Sequence, residues 1–176
     1  AINKPGKPDF EKKIKDVNDS YANSETGWQD SADYDMGDPV PYKLTVTLSE
    51  DVTSFRKYHV TFTDRMEDSL TFDEGSVEVY LNGARLDAGA YTLAKADAQN
   101  FSVRLDWAGQ GGATIADSGL NGAKVEVLFT ANLNANAKLG KQGNANACKL
   151  AYSNNPSSED DKDEGEKPWD YVIAFT

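Results

Sequence analysis

Short runs in which apolar and polar residues alternate, separated by Gly, Asn, Asp and Pro, dominate the sequence. A period of two places every second side chain on the same face of an extended strand, which is the pattern of a half-buried β-strand. Tyr42–Leu48 and Val125–Ala131 follow it closely. No long segment has the spacing of an amphipathic helix. The pattern predicts an all-β sandwich of about eight to ten strands, with at most short helical turns.

The predicted strands are spread over the whole chain. They are Phe10–Ile14, Tyr42–Leu48, Tyr58–Asp64, Val77–Leu81, a short strand through Leu86, Phe101–Trp107, Val125–Ala131, Cys148–Tyr152 and Asp170–Phe175. Asn82-Gly83 after the fourth run is a hairpin signal. Residues 18–37, 132–147 and 157–167 are polar and are predicted to be long loops.

The length predicts one domain. With 176 residues the chain is long enough to bury a substantial core. We interpret residues 1–8 as a linker or the edge of a longer protein, and residues 9–176 as a single domain. The sequence has no signal peptide and no run of transmembrane length. We therefore expect an excised part of a longer protein.

Charge and residue usage disfavour several function classes. The net charge of −11 argues against nucleic acid and against an anionic membrane surface. The single cysteine, Cys148, cannot form an internal disulfide and shares a face with Leu150, so we predict that it is buried. The single histidine, His59, lies on the predicted solvent face, which makes a catalytic triad or a zinc site poorly supported. We expect no cofactor and no metal.

The acidic run at 157–167 is predicted to be a solvated loop, since its spacing does not match a calcium motif.

Asp64 occupies an apolar position in its predicted strand. A period of two places Asp64 on the same face as Val60 and Phe62. An unpaired carboxylate is costly to bury, so such a group is kept neutral, pairs with a cation or takes part in chemistry. The alternative is that the strand ends at Phe62 and Asp64 begins a turn.

Two further polar residues share this placement. Lys12 lies on the same face as Phe10 and Ile14 in the first predicted strand, and Asn154 follows Leu150 in register in a late one. Each has an ordinary explanation, because an edge-strand lysine can extend to solvent and an asparagine before Asn-Pro can begin a turn.

Together the three side chains predict a defined reaction. Desolvation in an apolar core favours the neutral forms of an amine and an acid. The amine of Lys12 can then attack the carboxamide carbon of Asn154, while Asp64 polarises the amide oxygen and relays protons to the departing ammonia. The product is a Lys–Asn isopeptide bond, which clamps the first strand to a late one without the oxidising compartment that a disulfide needs.

Several longer stretches are specific enough to compare with known families. They are Gly37–Leu48, Tyr58–Asp64, Leu70–Phe72, Val77–Gly83 and Leu150–Pro156, the sharpest pieces being Thr61-Phe62-Thr63-Asp64 and Tyr152-Ser153-Asn154-Asn155-Pro156. Over residues 8–176 the chain resembles the isopeptide-forming domains of sortase-assembled pilin backbone proteins of Gram-positive bacteria. The resemblance implies an immunoglobulin-like (CnaA-like) β-sandwich.

The resemblance also implies roles for individual residues. The lysine, acid and asparagine of the family cross-link fall on Lys12, Asp64 and Asn154, with Asp64 as the general acid/base. Lys13 is the alternative lysine and Asn155 the alternative asparagine. The sequence has no Leu-Pro-x-Thr-Gly sorting signal, no Tyr-Pro-Lys pilin motif and no glutamate box.

The expected function is therefore structural. The resemblance implies a shaft domain of a cell-surface pilus or adhesin on a Gram-positive cell wall, with neighbouring pilin subunits as partners in a sortase-linked polymer and a possible host ligand. Self-crosslinking happens once per chain, so we do not expect an enzyme.

Two other functions remain as alternatives. Trp28, Tyr34 and Trp107 could line a carbohydrate or host-protein site of an adhesin module, although Trp107 shares a register with core residues. A glycosidase with paired carboxylates is the weaker alternative, because no spacing singles out a pair.

Overall fold

The computed structural model describes residues 6–16 and 27–176, which form a sandwich of two β-sheets. The strands are β1 (Asp9–Lys15), β2 (Trp28–Gln29), β3 (Ser31–Asp33), β4 (Pro39–Thr47), β5 (Lys57–Met66), β6 (Leu70–Leu81), β7 (Ala84–Arg85), β8 (Thr92–Lys95), β9 (Asn100–Ala108), β10 (Lys124–Leu133), β11 (Asn144–Ser153) and β12 (Glu164–Phe175). Short 3₁₀-helices lie at Val52–Ser54, Ala88–Ala90, Gln110–Gly112, Ser118–Leu120 and Gly140–Gln142. Within the described ranges, no helix is long and apolar enough to cross a lipid bilayer.

The first sheet has the strand order β2-β1-β4-β10-β6-β7, and all its neighbours are antiparallel. Lys12 on β1 lies opposite Leu44 on β4, and Leu44 lies opposite Val127 on β10. Lys12 therefore lies level with Leu44 and Val127, near the middle of the sheet.

The second sheet has the strand order β3-β12-β11-β5-β9-β8. The β3–β12 pair is parallel and the other pairs are antiparallel. Asp64 on β5 lies between Cys148 on β11 and Phe101 on β9. This register places the carboxylate in the middle of the inward face.

The two inward faces share one apolar core. Its fully buried members include Val40, Tyr42, Leu44, Val46, Val60, Phe62, Val103, Val127 and Leu150. Lys12, Asp64 and Asn146 are buried in the same core, each with 0% exposure. One strand of the first sheet, β1, and two neighbouring strands of the second, β5 and β11, thus place polar side chains in an otherwise apolar interior.

The alternating runs correctly predict the all-β sandwich and its main strands. The hairpin signal is confirmed as well, since Asn82 and Gly83 connect β6 to β7 with positive φ angles of 49° and 83°. The sequence does not predict β2, β3 and β8, because segments of two to four residues carry too little periodic pattern.

Two strand boundaries correct the predicted loops. β11 begins at Asn144 rather than Cys148, so the end of the predicted loop 132–147 is strand. β12 begins at Glu164 rather than Asp170, so the acidic segment 157–167 is partly strand. Alternating Asn and Ala have low β-propensity, and charged residues on one face resemble a loop in composition.

Parts of two predicted segments lie outside the described residues. Of the linker predicted at 1–8, residues 1–5 are outside, and the backbone N–H of Gly6 donates to Asp51 Oδ1 at 3.1 Å. Of the loop predicted at 18–37, residues 18–26 are outside, and the remainder contains β2 and β3.

Candidate functional site

Lys12 and Asp64 form a fully buried ion pair between the two sheets. Lys12 Nζ lies 2.5 Å from Asp64 Oδ2, and both side chains have no solvent exposure. The rings of Tyr42 and Phe129 enclose the amine, with centroids 5.2 and 5.3 Å from Nζ. These aromatic walls exclude water from the pair and lower the local dielectric.

Burial dominates the electrostatics of Asp64. Desolvation raises its pKa from 3.8 to about 6, against the opposing effect of Lys12. Asp64 Oδ1 has no hydrogen-bond partner among the described residues. The carboxyl group is therefore held close to the point at which it can gain or lose a proton near neutral pH.

Asn146 completes the buried polar cluster. It lies on β11 two residues before Cys148, which faces Asp64 across the strand pair. Its carboxamide faces Asp64 and Tyr42 and lowers the pKa of both, although burial raises the pKa of Tyr42 overall. Within the described part of the chain, however, neither Asn146 Nδ2 nor Oδ1 completes a hydrogen bond.

The unpaired atoms are the unusual feature of the cluster. Buried polar atoms are nearly always hydrogen-bonded, and each exception costs about 1–3 kcal/mol. Here the Tyr42 hydroxyl, Asp64 Oδ1 and both polar atoms of Asn146 are without partners among the described residues. The core thus contains an amine, an acid and an unengaged carboxamide as close neighbours.

The structure does not bring Asn154 to this cluster. β11 ends at Ser153, and the Asn154 side chain is exposed, while its backbone N–H donates to Asp163 O at 3.3 Å. Asn155 also points away, donating its amide to Asp163 Oδ2 at 2.7 Å. The prediction that register turns Asn154 inward is wrong, because the strand ends one residue too early.

The structure places Lys12, and not the alternative Lys13, in the core. The Lys13 side chain lies on the opposite face from Lys12, is 29% exposed and pairs with Asp30 at 2.7 Å. The Lys13 side chain therefore points away from the core.

Sequence reasoning missed Asn146 although a signal was present. Asn146 has the same parity as Cys148, Leu150 and Tyr152, whose shared face was identified. The signal is hidden because Asn146 falls in the predicted loop 132–147, whose Asn-rich and Ala-rich composition is not typical of a strand.

Cys148 is buried as predicted. It has 0% exposure, and burial raises its pKa well above the ordinary thiol value. A thiol in this state is a poor nucleophile, which fits a packing role.

The aromatic residues considered for ligand binding do not form one surface. Tyr34 is buried, and its hydroxyl donates to the Lys15 carbonyl. Trp28 belongs to the first sheet, where Lys43 Nζ lies 4.7 Å from its ring. Trp107 belongs to the second sheet and packs against Tyr58, with ring centroids 6.2 Å apart.

His59 is not on a solvent face. Its side chain is on the outer side of the second sheet, as the parity predicts, but the segment 154–163 covers it and leaves it 1% exposed. Asp161 in that segment is also buried. The predicted solvated loop is therefore attached to the sheet.

Comparisons with known proteins agree with the fold. The full-length major pilin RrgB of Streptococcus pneumoniae superposes with a TM-score of 0.63 and 26% identity over 89% of the chain. The major pilin subunit BcpA of Bacillus cereus gives 0.65 and 19% over 96%. A 35 kDa C-terminal fragment of the Streptococcus agalactiae major pilin gives 0.67 and 18% over 97%.

The chain has the fold of a pilus backbone domain. It spans 25% of full-length RrgB, 40% of BcpA and 56% of the S. agalactiae fragment, so this pilin-type domain corresponds to only part of each protein. No protein-family model matches the chain, and no curated protein sequence matches it.

Proposed function

We propose that this pilin-type domain is a structural shaft segment of a cell-surface pilus, stabilised by an intramolecular isopeptide bond between Lys12 and Asn146. Asp64 acts as the general acid/base. The observation that carries the proposal is the buried cluster in which Lys12 contacts Asp64 while the neighbouring Asn146 carboxamide makes no hydrogen bond among the described residues.

The reaction uses only groups that the cluster contains. Lys12 transfers a proton to Asp64, and the neutral Nζ attacks Cγ of Asn146. Protonated Asp64 donates to the carboxamide oxygen and then passes its proton to the departing Nδ2. It next takes up the second proton of Nζ, so that Asp64 is protonated when the ammonia has left. The new Nζ–Cγ bond forms, the Cγ–Nδ2 bond breaks, and one ammonia leaves.

The apolar environment supports each step. The raised pKa of Asp64, about 6, allows the acid to hold the proton that the amine gives up. The rings of Tyr42 and Phe129 keep water from competing with the amine. Packing also fixes the reactants, and intramolecular reactions with good orientation reach effective molarities of about 10⁵ M or more.

The bond would stabilise the sandwich across its two sheets. It would join β1 of the first sheet to β11 of the second and close a loop that contains residues 13–145. In the chain-entropy model, closing a loop of about this length contributes about 5 kcal/mol. The reaction occurs once per chain, so the protein is not a turnover enzyme.

The cellular setting follows from the likeness to pilus proteins. RrgB and BcpA are major pilins of Gram-positive bacteria. We therefore infer an extracellular location on a cell wall, neighbouring pilin subunits as partners and assembly by a sortase.

Intact mass spectrometry of the purified chain tests the cross-link. We expect a mass lower than the sequence mass by one ammonia, with Lys12 and Asn146 in one branched peptide after digestion. Asn146→Ala, Lys12→Ala and Asp64→Ala should each restore the full mass.

Asn154→Ala is the matched control, since it removes an exposed asparagine from the same region. It should retain the ammonia loss. A full-length mass for the wild-type chain would overturn the proposal, and loss of the cross-link in Asn154→Ala alone would overturn the choice of Asn146.

A further inference from the structure

A second polar cluster lies on the outer face of the second sheet, away from the Lys12 site; its His59 and Asp161 are buried, whereas Asp106 and Glu164 are exposed at its edge. His59 is 1% exposed, and each of its ring nitrogens faces a carboxylate. Nδ1 lies 2.6 Å from Asp161 Oδ2, and Nε2 lies 2.6 Å from Glu164 Oε2. The proposed cross-link uses none of these groups.

The two contacts require an additional cation. A neutral imidazole has a single N–H, whereas an ionised carboxylate can only accept hydrogen bonds. One of the two short contacts of His59 is therefore without a donor unless a proton or a metal ion is added. The buried position makes an unsatisfied contact costly.

Asp106 on β9 brings a third carboxylate to the cluster. Ligand atoms of His59, Asp106 and Asp161 all lie within 4.8 Å of one another. Side-chain movement could bring these three atoms to the distance of about 2.0–2.2 Å at which nitrogen and oxygen ligands bind Zn²⁺. The three residues come from β5, β9 and the segment 154–163, so a shared ion would join three separate parts of the chain.

The local charge matches a divalent ion better than a proton. Asp106, Asp161 and Glu164 supply three negative charges, and Arg104, which binds Asp106 through Nε and Nη2, supplies one positive charge. With a neutral His59, the excess is two negative charges. A single proton would neutralise only one of these two charges, whereas a divalent ion would neutralise both.

We propose that His59, Asp106 and Asp161 bind a divalent first-row transition-metal ion of the Zn²⁺ type, with Glu164 beside the site. An imidazole combined with carboxylates suits these ions, whereas Ca²⁺ and Mg²⁺ prefer oxygen ligands alone. The ion replaces the hydrogen between His59 and Asp161 and attaches the segment 154–163 to the sheet.

Ser153 and the backbone of Asp161 support this arrangement. The Ser153 hydroxyl donates to Asp161 Oδ1 at 2.6 Å and so orients the carboxylate. Asp161 itself has a positive φ of 54°, a conformation that aspartate tolerates and that turns its side chain towards the sheet. Outer-shell contacts of this kind commonly affect metal affinity by about 10–100-fold.

Calorimetric titration of the full chain with ZnCl₂ near neutral pH tests the proposal. We expect one Zn²⁺ per chain, a higher melting temperature with Zn²⁺, and neither effect with CaCl₂. Asp106→Asn and His59→Gln should each weaken Zn²⁺ binding roughly tenfold or more.

Asp106→Asn separates the metal from a simple proton bridge. This substitution leaves the contacts of His59 with Asp161 and Glu164 in place, so a proton bridge would be unaffected. Glu159→Gln is the matched control: Glu159 lies in the same segment and pairs with the exposed Arg56, and its loss should leave Zn²⁺ binding unchanged.

Absence of Zn²⁺ binding by the wild-type chain would overturn the proposal, as would wild-type affinity in both His59→Gln and Asp106→Asn. Because the cross-link is measured separately by the ammonia loss, failure of either proposal can be recognised without the other.

Discussion

Burial of Asp64 beside Lys12 controls the proton chemistry of the core cluster. The cost of desolvating the carboxylate exceeds the attraction of the ammonium, which leaves the pKa of Asp64 at about 6. A surface aspartate with the same lysine neighbour would stay ionised and could not protonate a leaving group. The apolar environment, more than the identity of the two residues, allows Asp64 to act as a general acid.

The raised pKa predicts a pH dependence in a chain that cannot cross-link. In Asn146→Ala, protonated Asp64 stabilises the fold fully below the unfolded pKa near 3.8, and this contribution is lost as pH rises through about 6. The free energy of unfolding should fall by about 3 kcal/mol over that window.

Urea denaturation at a series of pH values measures this change. The double variant Asn146→Ala with Asp64→Asn provides the reference for all other titrating groups. A difference between the two that is flat, or that rises with pH, would contradict the assignment.

Parity along the strands identifies Lys12 and Asp64 but does not locate the end of a strand. Lys12 lies between Phe10 and Ile14, and Asp64 lies between Phe62 and Met66, so apolar neighbours on both sides indicate which face each side chain occupies. Asn146 and Asn154 flank such a run on opposite sides, and parity allows both. Hydrogen bonds with distant residues decide which one is inside the strand, and a single sequence does not contain them.

His59 shows a different limit of sequence reasoning. Alternation correctly placed it on the outer face of β5. The segment 154–163, about a hundred residues later in the chain, covers this face. Asp161 in that segment contacts the His59 ring. Periodicity describes a strand, but not its neighbours.

At the scale of elements, β11 positions both proposed sites. Its inner face carries Asn146, and its last residue, Ser153, supports the outer cluster. Asn144 fixes where the strand begins: its Oδ1 accepts from Lys138 N at 2.8 Å, and its Nδ2 donates to Ala174 O at 3.1 Å. This anchor sets the register that turns Asn146 inward.

We therefore predict that Asn144→Ala destabilises the domain. Removing the fully buried carboxamide takes away its hydrogen bonds with the Lys138 N–H and the Ala174 carbonyl, which costs about 1–3 kcal/mol. Chemical denaturation measures the change.

Asn136→Ala, at an exposed position in the preceding loop, is the control and should change stability by less than about 0.5 kcal/mol. Equal stability of Asn144→Ala and the control would show that the anchor does not fix β11.

At the scale of the whole molecule, the sequence predicts the long strands of the two sheets better than the short strands at the sheet edges. Long strands such as β4, β5 and β10 alternate clearly and were predicted. The strands β2, β3 and β8 form only because neighbouring edges offer hydrogen-bond partners. Their positions depend on the assembled sheets, and local composition does not specify them.

A cross-link from β1 to β11 should also change how the chain unfolds. The denatured wild-type chain would keep residues 13–145 in a closed loop and expose less surface than an open chain. Its urea m-value should therefore be smaller than that of Asn146→Ala. Identical m-values for two chains that differ in ammonia loss would contradict this expectation.

The proposed bond between Lys12 and Asn146 has a further consequence when the molecule is stretched. Tension applied to the two ends would enter through β1, cross directly to β11 and leave through β12, without passing through the residues between. Only residues 1–12 and 146–176 could then extend, to roughly 150 Å against about 600 Å for the open chain. A fibre of such domains would resist pulling as an almost inextensible tether, whatever the strength of its individual sheets.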